Sequence, residues 1–197
     1  SKILSQPIKG TRKRGIDLAE DERLKKELYE DQKERSENVM IVDLVRNDLS
    51  KVAKKNSVTV EELFGIYTFD QVHQMISTIS CEVAPQTSLK EIFEATFPMG
   101  SMTGAPKISA MKLIEKFEET KRGLYSGAVG YISPTGDFDF NVVIRSIQYN
   151  ALNKYLSFMV GGAITIGSDA ELEYQECLVK AKAIFEVLDQ NHAETVS

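Results

Sequence analysis

The chain has 197 residues, 42% hydrophobic and 27% charged, a mixture that fits one globular domain with a sizeable core and excludes a disordered or low-complexity polymer. No apolar run is long enough to cross a bilayer, and Ser1-Lys2-Ile3-Leu4 leads into polar sequence, so neither a membrane span nor a secretory leader is expected. The net charge of −5 is uneven, with 14 Lys/Arg against 11 Asp/Glu in residues 1–60 and 10 against 18 thereafter, but the early basic residues alternate with acids, which reads as solvated helix and not as a nucleic-acid stripe. Residues 2–8 read as a strand running into the turn Pro7-Ile8-Lys9-Gly10-Thr11. From Leu18 to Val52 the pattern is one charged helix, with Asp17 as N-cap and Glu20 in capping-box position. Its stretch Val39 to Val45 is too apolar for a surface helix and is expected to dive into the core. Val58 to Val83 reads as two strands broken near Tyr67-Thr68-Phe69-Asp70, Ser88 to Ala95 as a short helix, and Pro106 to Thr120 as a longer one. Strands are expected at 127–133, 138–149 and 155–161, with Pro134-Thr135-Gly136-Asp137 as the turn between the first two. A last helix spans Ala170 to Leu188, opened by the capping pattern Ser168-Asp169-Ala170-Glu171. The result is an α+β chain of antiparallel strands with helices covering the sheet faces.

Cys81 and Cys177 lie far apart without CxxC spacing, so no disulfide framework or zinc site is expected, and a reducing cytoplasm is the natural compartment. Nine of the twelve glycines fall between 100 and 167, which marks glycine-bearing turns there as places for close backbone approach to a ligand. Gly100 to Lys107 is a glycine-rich turn feeding a helix start, suited to an anionic group but matching no nucleotide fingerprint; an ordinary helix cap is the competing reading. Gly161-Gly162-Ala163 follows a strand pattern and would offer backbone N–H groups to an anion, or simply bend the strand.

Two carboxylate pairs, Glu34 with Glu37 and Glu173 with Glu176, are each spaced to share a helix face, and two such faces turned to one spot would hold a hard divalent cation. Taken singly, ExxE is common on solvated helices. Lys180, one turn beyond Glu176, would neutralise it or reach an anion in the same site. Lys9 on a rigid turn has the chemistry of a nucleophile, and the plain alternative is a surface lysine. His73 is either a proton carrier or a structural histidine. Arg145, in the β-rich run Val142-Val143-Ile144-Arg145-Ser146, calls for an anion among core-like neighbours.

In this order the segments resemble the chorismate-utilising enzymes. The marks are Glu34 to Asp48 (ERSENVMIVDLVRND), Gly100 to Lys107, Gly127-Ala128-Val129-Gly130-Tyr131, Ile144-Arg145-Ser146, Gly161-Gly162-Ala163 and Glu173-Tyr174-Gln175-Glu176 followed by Lys180-Ala181. The resemblance runs from Pro7 to about Leu188 and implies layered antiparallel sheets flanked by helices, as in anthranilate synthase component I. It implies Mg²⁺ held by Glu37 and Glu176 with Glu34 and Glu173 beside them, and a ring carboxylate of chorismate on that metal. Four glutamates and a dicarboxylate would otherwise repel one another. It further implies that Tyr131 and Arg145 meet the enolpyruvyl carboxylate, that Thr11, Gly161, Gly162 and Ala163 contact substrate, that Lys180 offsets the ring carboxylate, and that His73 and Thr103 stand near the ring and its leaving hydroxyl.

The turn reading PIKGT, with Lys9 where anthranilate synthases usually carry alanine, resembles the aminodeoxychorismate synthase component I branch. That resemblance implies amination of chorismate at C4 through a covalent Lys9 adduct, with ammonia from a glutaminase partner and no nucleic-acid or membrane partner. The alternatives are anthranilate synthase component I, which shares every motif but Lys9, an isochorismate or salicylate synthase, and a non-catalytic fragment of the fold. The resemblance also places a general acid about sixteen residues before the lysine, where only eight precede Lys9 here. Residues 1–197 are therefore expected to be the C-terminal part of a single chorismate-binding catalytic domain truncated at its N-terminus, weak or inactive alone, with some apolar surface exposed.

Overall fold

The computed structural model describes residues 1–193, and the chain divides into two compact units, the first ending at Glu118 and the second beginning at Glu119. The first unit holds β1 (Lys2–Ser5), β2 (Ile8–Lys13), α1 (Leu18–Glu30), α2 (Gln32–Ser50), β3 (Thr59–Thr68), β4 (Val72–Glu82), α3 (Leu89–Thr96), a 3-10 turn Gly100–Met102 and α4 (Lys107–Phe117). The second holds β5 (Ala128–Ile132), β6 (Phe138–Val142), β7 (Ile147–Asn150), β8 (Tyr155–Phe158) and α5 (Ala170–Ala193). The chain mixes helices with antiparallel sheets, as the sequence predicts.

β4 is the axis of the first unit. It is antiparallel to β3 along one side, and on the other to β1 at its C-terminal half (Lys2 opposite Glu82) and to β2 at its N-terminal half (Lys13 opposite Val72). Strands on both sides and α1 and α2 packed over it explain why every residue from Met75 to Cys81 is buried. Leu28 of α1, Phe64 of β3 and Met75 of β4 form the centre of this core, with Ile66 against them.

The single helix expected over 18–52 is two. The break is at Asp31 (φ −65°, ψ 108°), whose carboxylate accepts from the Glu34 N–H and caps α2 while its own N–H donates to Leu28 O. Asp17 caps α1 as expected, but Glu20 reaches back to the N–H of Ile16, one residue beyond the capping-box partner. On α2 the buried residues are Asn38, Val42, Asp48 and Leu49. Val39 and Met40 keep 40% and 55% of their surface exposed, so the apolar stretch does not sink into the core as a whole.

Pro7 to Thr11 is not a turn. It enters β2, and the register of Ile8 against Ile76 and Thr11 against Gln74 sets three steps of β2 against two of β4, a bulge with Gly10 at φ +100°. In the second unit β5–β6 and β7–β8 are two separate hairpins, the first closed through Ser133 and Asp137. The strand expected over 138–149 is broken between β6 and β7, where Arg145 takes φ +50°, and the strand expected to reach Gly161 ends at Phe158. Asp169, not Ser168, caps α5, accepting from the N–H groups of Glu171 and Leu172. Among the described residues no helix is long and apolar enough to cross a membrane.

Candidate active site

In the first unit the β2 bulge and the start of α2 bring charges together. Lys9 Nζ stands 2.5 Å from Glu37 Oε2, both side chains mostly covered. Glu34, one turn earlier, backs onto Gly10, where an added Cβ would lie 3.4 Å from the Glu34 Cβ. Burial pushes the Glu34 carboxyl above its ordinary range, the Glu37 charge adds to the rise, and Lys9 opposes it. Arg12 stands 2.6 Å from Asp31 and 4.0 Å from Glu34. Thr11 lies on β2 opposite Gln74.

His73 is wholly buried, with Nε2 2.8 Å from Asp21 Oδ1 and Nδ1 3.0 Å from Thr68 Oγ1. Asp21 only accepts, so Nε2 carries a hydrogen, and Nδ1 pairs with the Thr68 hydroxyl. The same Asp21 takes both Arg14 Nε and Nη2 and the Gly15 N–H, and these bonds, Arg14 first, hold its carboxyl far below the usual range. His73 therefore has no free ring nitrogen in this arrangement. Thr103 closes the 3-10 turn and donates to Met99 O at 3.0 Å. Lys107, at the end of the glycine-rich turn, is bound to the buried Asp48 at 2.5 Å.

In the second unit Lys180 Nζ donates to Gly161 O at 3.0 Å and meets Glu176 Oε1 at 2.6 Å. An added Cβ at Gly162 would stand 3.0 Å from Glu173 Oε2, and Ser168 Oγ donates to Glu173 Oε1. The bare glycine backbone is what lets this segment lie so close to the two glutamates and the lysine of α5. Arg145 and Lys180 share an apolar-walled recess with Ile147, Val179, Ile184 and Val187. Arg145 itself is exposed, outside any strand, and free of the buried setting its sequence neighbours imply. Ala163 is exposed beside Gly162. Tyr131 lies on β5 opposite Asp139 with 64% of its surface open.

Comparison with known proteins gives these clusters a context. The chorismate binding enzymes match over residues 1–186. The chain belongs to this family. It is 46% identical over 189 residues to an aminodeoxychorismate synthase of Streptomyces pristinaespiralis, covering 96% of this chain and 26% of that protein. It is 40% identical to anthranilate synthase component 1 of Aquifex aeolicus, with 95% and 38% covered. The solved anthranilate synthase component I from Streptococcus pneumoniae superimposes with a TM-score of 0.75 at 35% identity, covering 92% of this chain and 39% of that one. The chain thus spans between a quarter and two fifths of these relatives.

Within this chain the structure joins Lys9, Glu34 and Glu37 in one cluster and Gly161, Gly162, Glu173, Glu176 and Lys180 in another. Two neighbours of these clusters escape a motif reading. Arg12 is one; its only sequence signal is its distance of three from Lys9. Tyr125 is the other, with its hydroxyl so close to Gly161 that an added Cβ there would stand 2.9 Å from it. Its only sequence signal is its place inside the glycine-bearing run Gly123-Leu124-Tyr125-Ser126-Gly127.

Proposed function

We propose that this chain carries the lysine and carboxylate groups of an enzyme that aminates chorismate at C4, giving 4-amino-4-deoxychorismate with ammonia from a glutaminase partner. The observation that supports the reading best is Lys9 in PIKGT, on a strand bulge, paired with a carboxylate of the ERSE helix turn. In the proposed reaction the Lys9 amine bonds to ring C2, both conjugated ring double bonds shift, and the C4–oxygen bond breaks, the hydroxyl leaving as water with the proton the amine gives up. Ammonia then bonds to C4 and loses a proton, the two double bonds shift back, and the C2–nitrogen bond breaks to return Lys9 with that proton. Two allylic displacements thereby replace one difficult substitution.

An ammonium group is not a nucleophile, so Lys9 must give up a proton before it adds. Arg145 and Lys180 line a recess whose apolar walls suit a ring and whose cations suit carboxylates. Among the described residues no three His, Cys, Asp or Glu side chains gather to enclose a metal ion. The donor chemistry still fits Mg²⁺, which commonly takes one or two carboxylates and completes its shell with water and substrate oxygens. Either pair, Glu34 with Glu37 or Glu173 with Glu176, would supply such carboxylates, and when bound the ion would supply charge balance for the substrate carboxylate. The relatives include anthranilate synthases, so amination at C2 is the competing reading, and product identity separates the two.

The test is mass spectrometry of the protein mixed with chorismate and Mg²⁺ without ammonia. A chorismate-derived mass on the peptide holding Lys9 is expected. Full activity in Lys9→Ala would overturn the covalent route.

A further inference from the structure

We propose that Arg12 and Asp31 form a positioning clamp that sets where Glu34 and Glu37 stand relative to Lys9. This rests on the reading that Lys9 and the α2 carboxylates are the reacting cluster.

In an unbroken strand, residues three apart point to opposite faces, so Lys9 and Arg12 would be separated by the sheet. The bulge at Gly10 adds one residue between Ile8 and Thr11 and turns both side chains toward the same helix. Lys9 meets Glu37, and Arg12 meets Asp31 two turns earlier. Two cations on one strand therefore face three carboxylates along one helix start.

Asp31 has a different task for each oxygen. Oδ1 accepts the Glu34 N–H at 3.0 Å and so fixes the first turn of α2, while Oδ2 takes Arg12 Nη2 at 2.6 Å. Arg12 is steadied in turn by donating to Thr11 O at 3.1 Å. The chain of contacts runs from the bulged strand through Arg12 and Asp31 to the amide of Glu34, the residue whose side chain is to be aimed. Asp31 is also where α1 stops, so nothing in α1 supplies that alignment by helix continuity. To the packing of α2 on β2 and β4 the ion pair adds a directed tie from the strand to the Glu34 N–H.

The test uses Arg12→Gln, Asp31→Asn, which keeps a capping oxygen, the double variant, and Arg12→Lys as the conservative rescue. Two quantities are read: amide hydrogen exchange at residues 33–38 in metal-free protein, and Mg²⁺ affinity by calorimetry. Each single variant is expected to speed exchange and weaken Mg²⁺ about tenfold, as the loss of a partner that orients a ligand does. The double variant is expected to be no worse than either single, because both remove one shared contact, and Arg12→Lys to recover part of the loss. Wild-type affinity in both singles, or losses that multiply in the double, overturns the clamp. Faster exchange with unchanged affinity shows a helix tie without a positioning role and also overturns it, as does weaker affinity with unchanged exchange, which reports the changed charge near the cation and not the alignment of α2. A wild-type protein that takes up no Mg²⁺ overturns the metal reading instead, and exchange alone then decides the clamp.

Discussion

Gly10 is the residue on which the lysine cluster turns. Its φ of +100° is a conformation other residues enter at a cost of roughly 1–2 kcal/mol, and a Cβ there would lie 3.1 Å from Leu28 Cδ1 and 3.3 Å from Met75 Cβ. Both neighbours belong to the centre of the core, so neither has room to retreat without opening a void. Gly10→Ala should therefore destabilise by about 2–4 kcal/mol, the strain plus the overpacking. Urea denaturation measures it, and a loss below about 0.5 kcal/mol would mean that the bulge adapts freely.

At the scale of elements, the caps show what local sequence can carry. Ser88 caps α3 by accepting from the Glu91 N–H, and Glu91 answers by accepting from the Ser88 N–H and hydroxyl. That box spans four consecutive residues, so it was legible from the sequence alone. Ser88→Ala should cost about 1 kcal/mol, with Ser88→Asn close to wild type, read from the shift in melting temperature. The break at Asp31 was not legible, because the charged helical pattern runs on through it and the partner that makes Asp31 useful is Arg12, on a strand nineteen residues earlier. For the same reason Pro7 to Thr11 reads as a turn: proline and glycine are turn residues, and only pairing with β4 shows that Gly10 serves a bulge. Arg145 reads as strand because valine and isoleucine precede it, whereas β6 ends at Val142 and Arg145, at positive φ, lies in the break before β7. Lys9 and Glu37 were each visible as candidates, since motif and spacing mark single residues. That they touch depends on the bulge, which no spacing rule reveals.

For the whole molecule, the charge arrangement fixes the response to acid. Asp21 is held low by Arg14, the Gly15 N–H and His73, Asp31 by the Glu34 N–H and Arg12, and Glu61, Glu82 and Glu91 by Lys2, Lys54 and Ser88. A carboxyl whose folded value lies below its unfolded one contributes stability that is present above the unfolded value, near about 4, and lost as pH falls through the folded one. Glu34, raised by burial, works in the opposite sense and offsets part of the loss at the upper end of that window. Melting temperature should fall steadily below about pH 4, and Asp21→Asn should flatten the fall. A melting temperature constant from about pH 5 to 3 would contradict this account.

β1 and β2 have β4 as their strand partner, and β4 begins only at Val72. In chain order the strand holding Lys9 precedes both helices and β3, so it must wait until β4 has emerged before it can pair with it. α1 and α2 are made in that interval, before β4 is there to pack against their apolar stripes. The order of synthesis therefore pairs the Lys9 strand with β4 late, and such long-range strand pairing folds slowly and exposes apolar surface on which chaperones act.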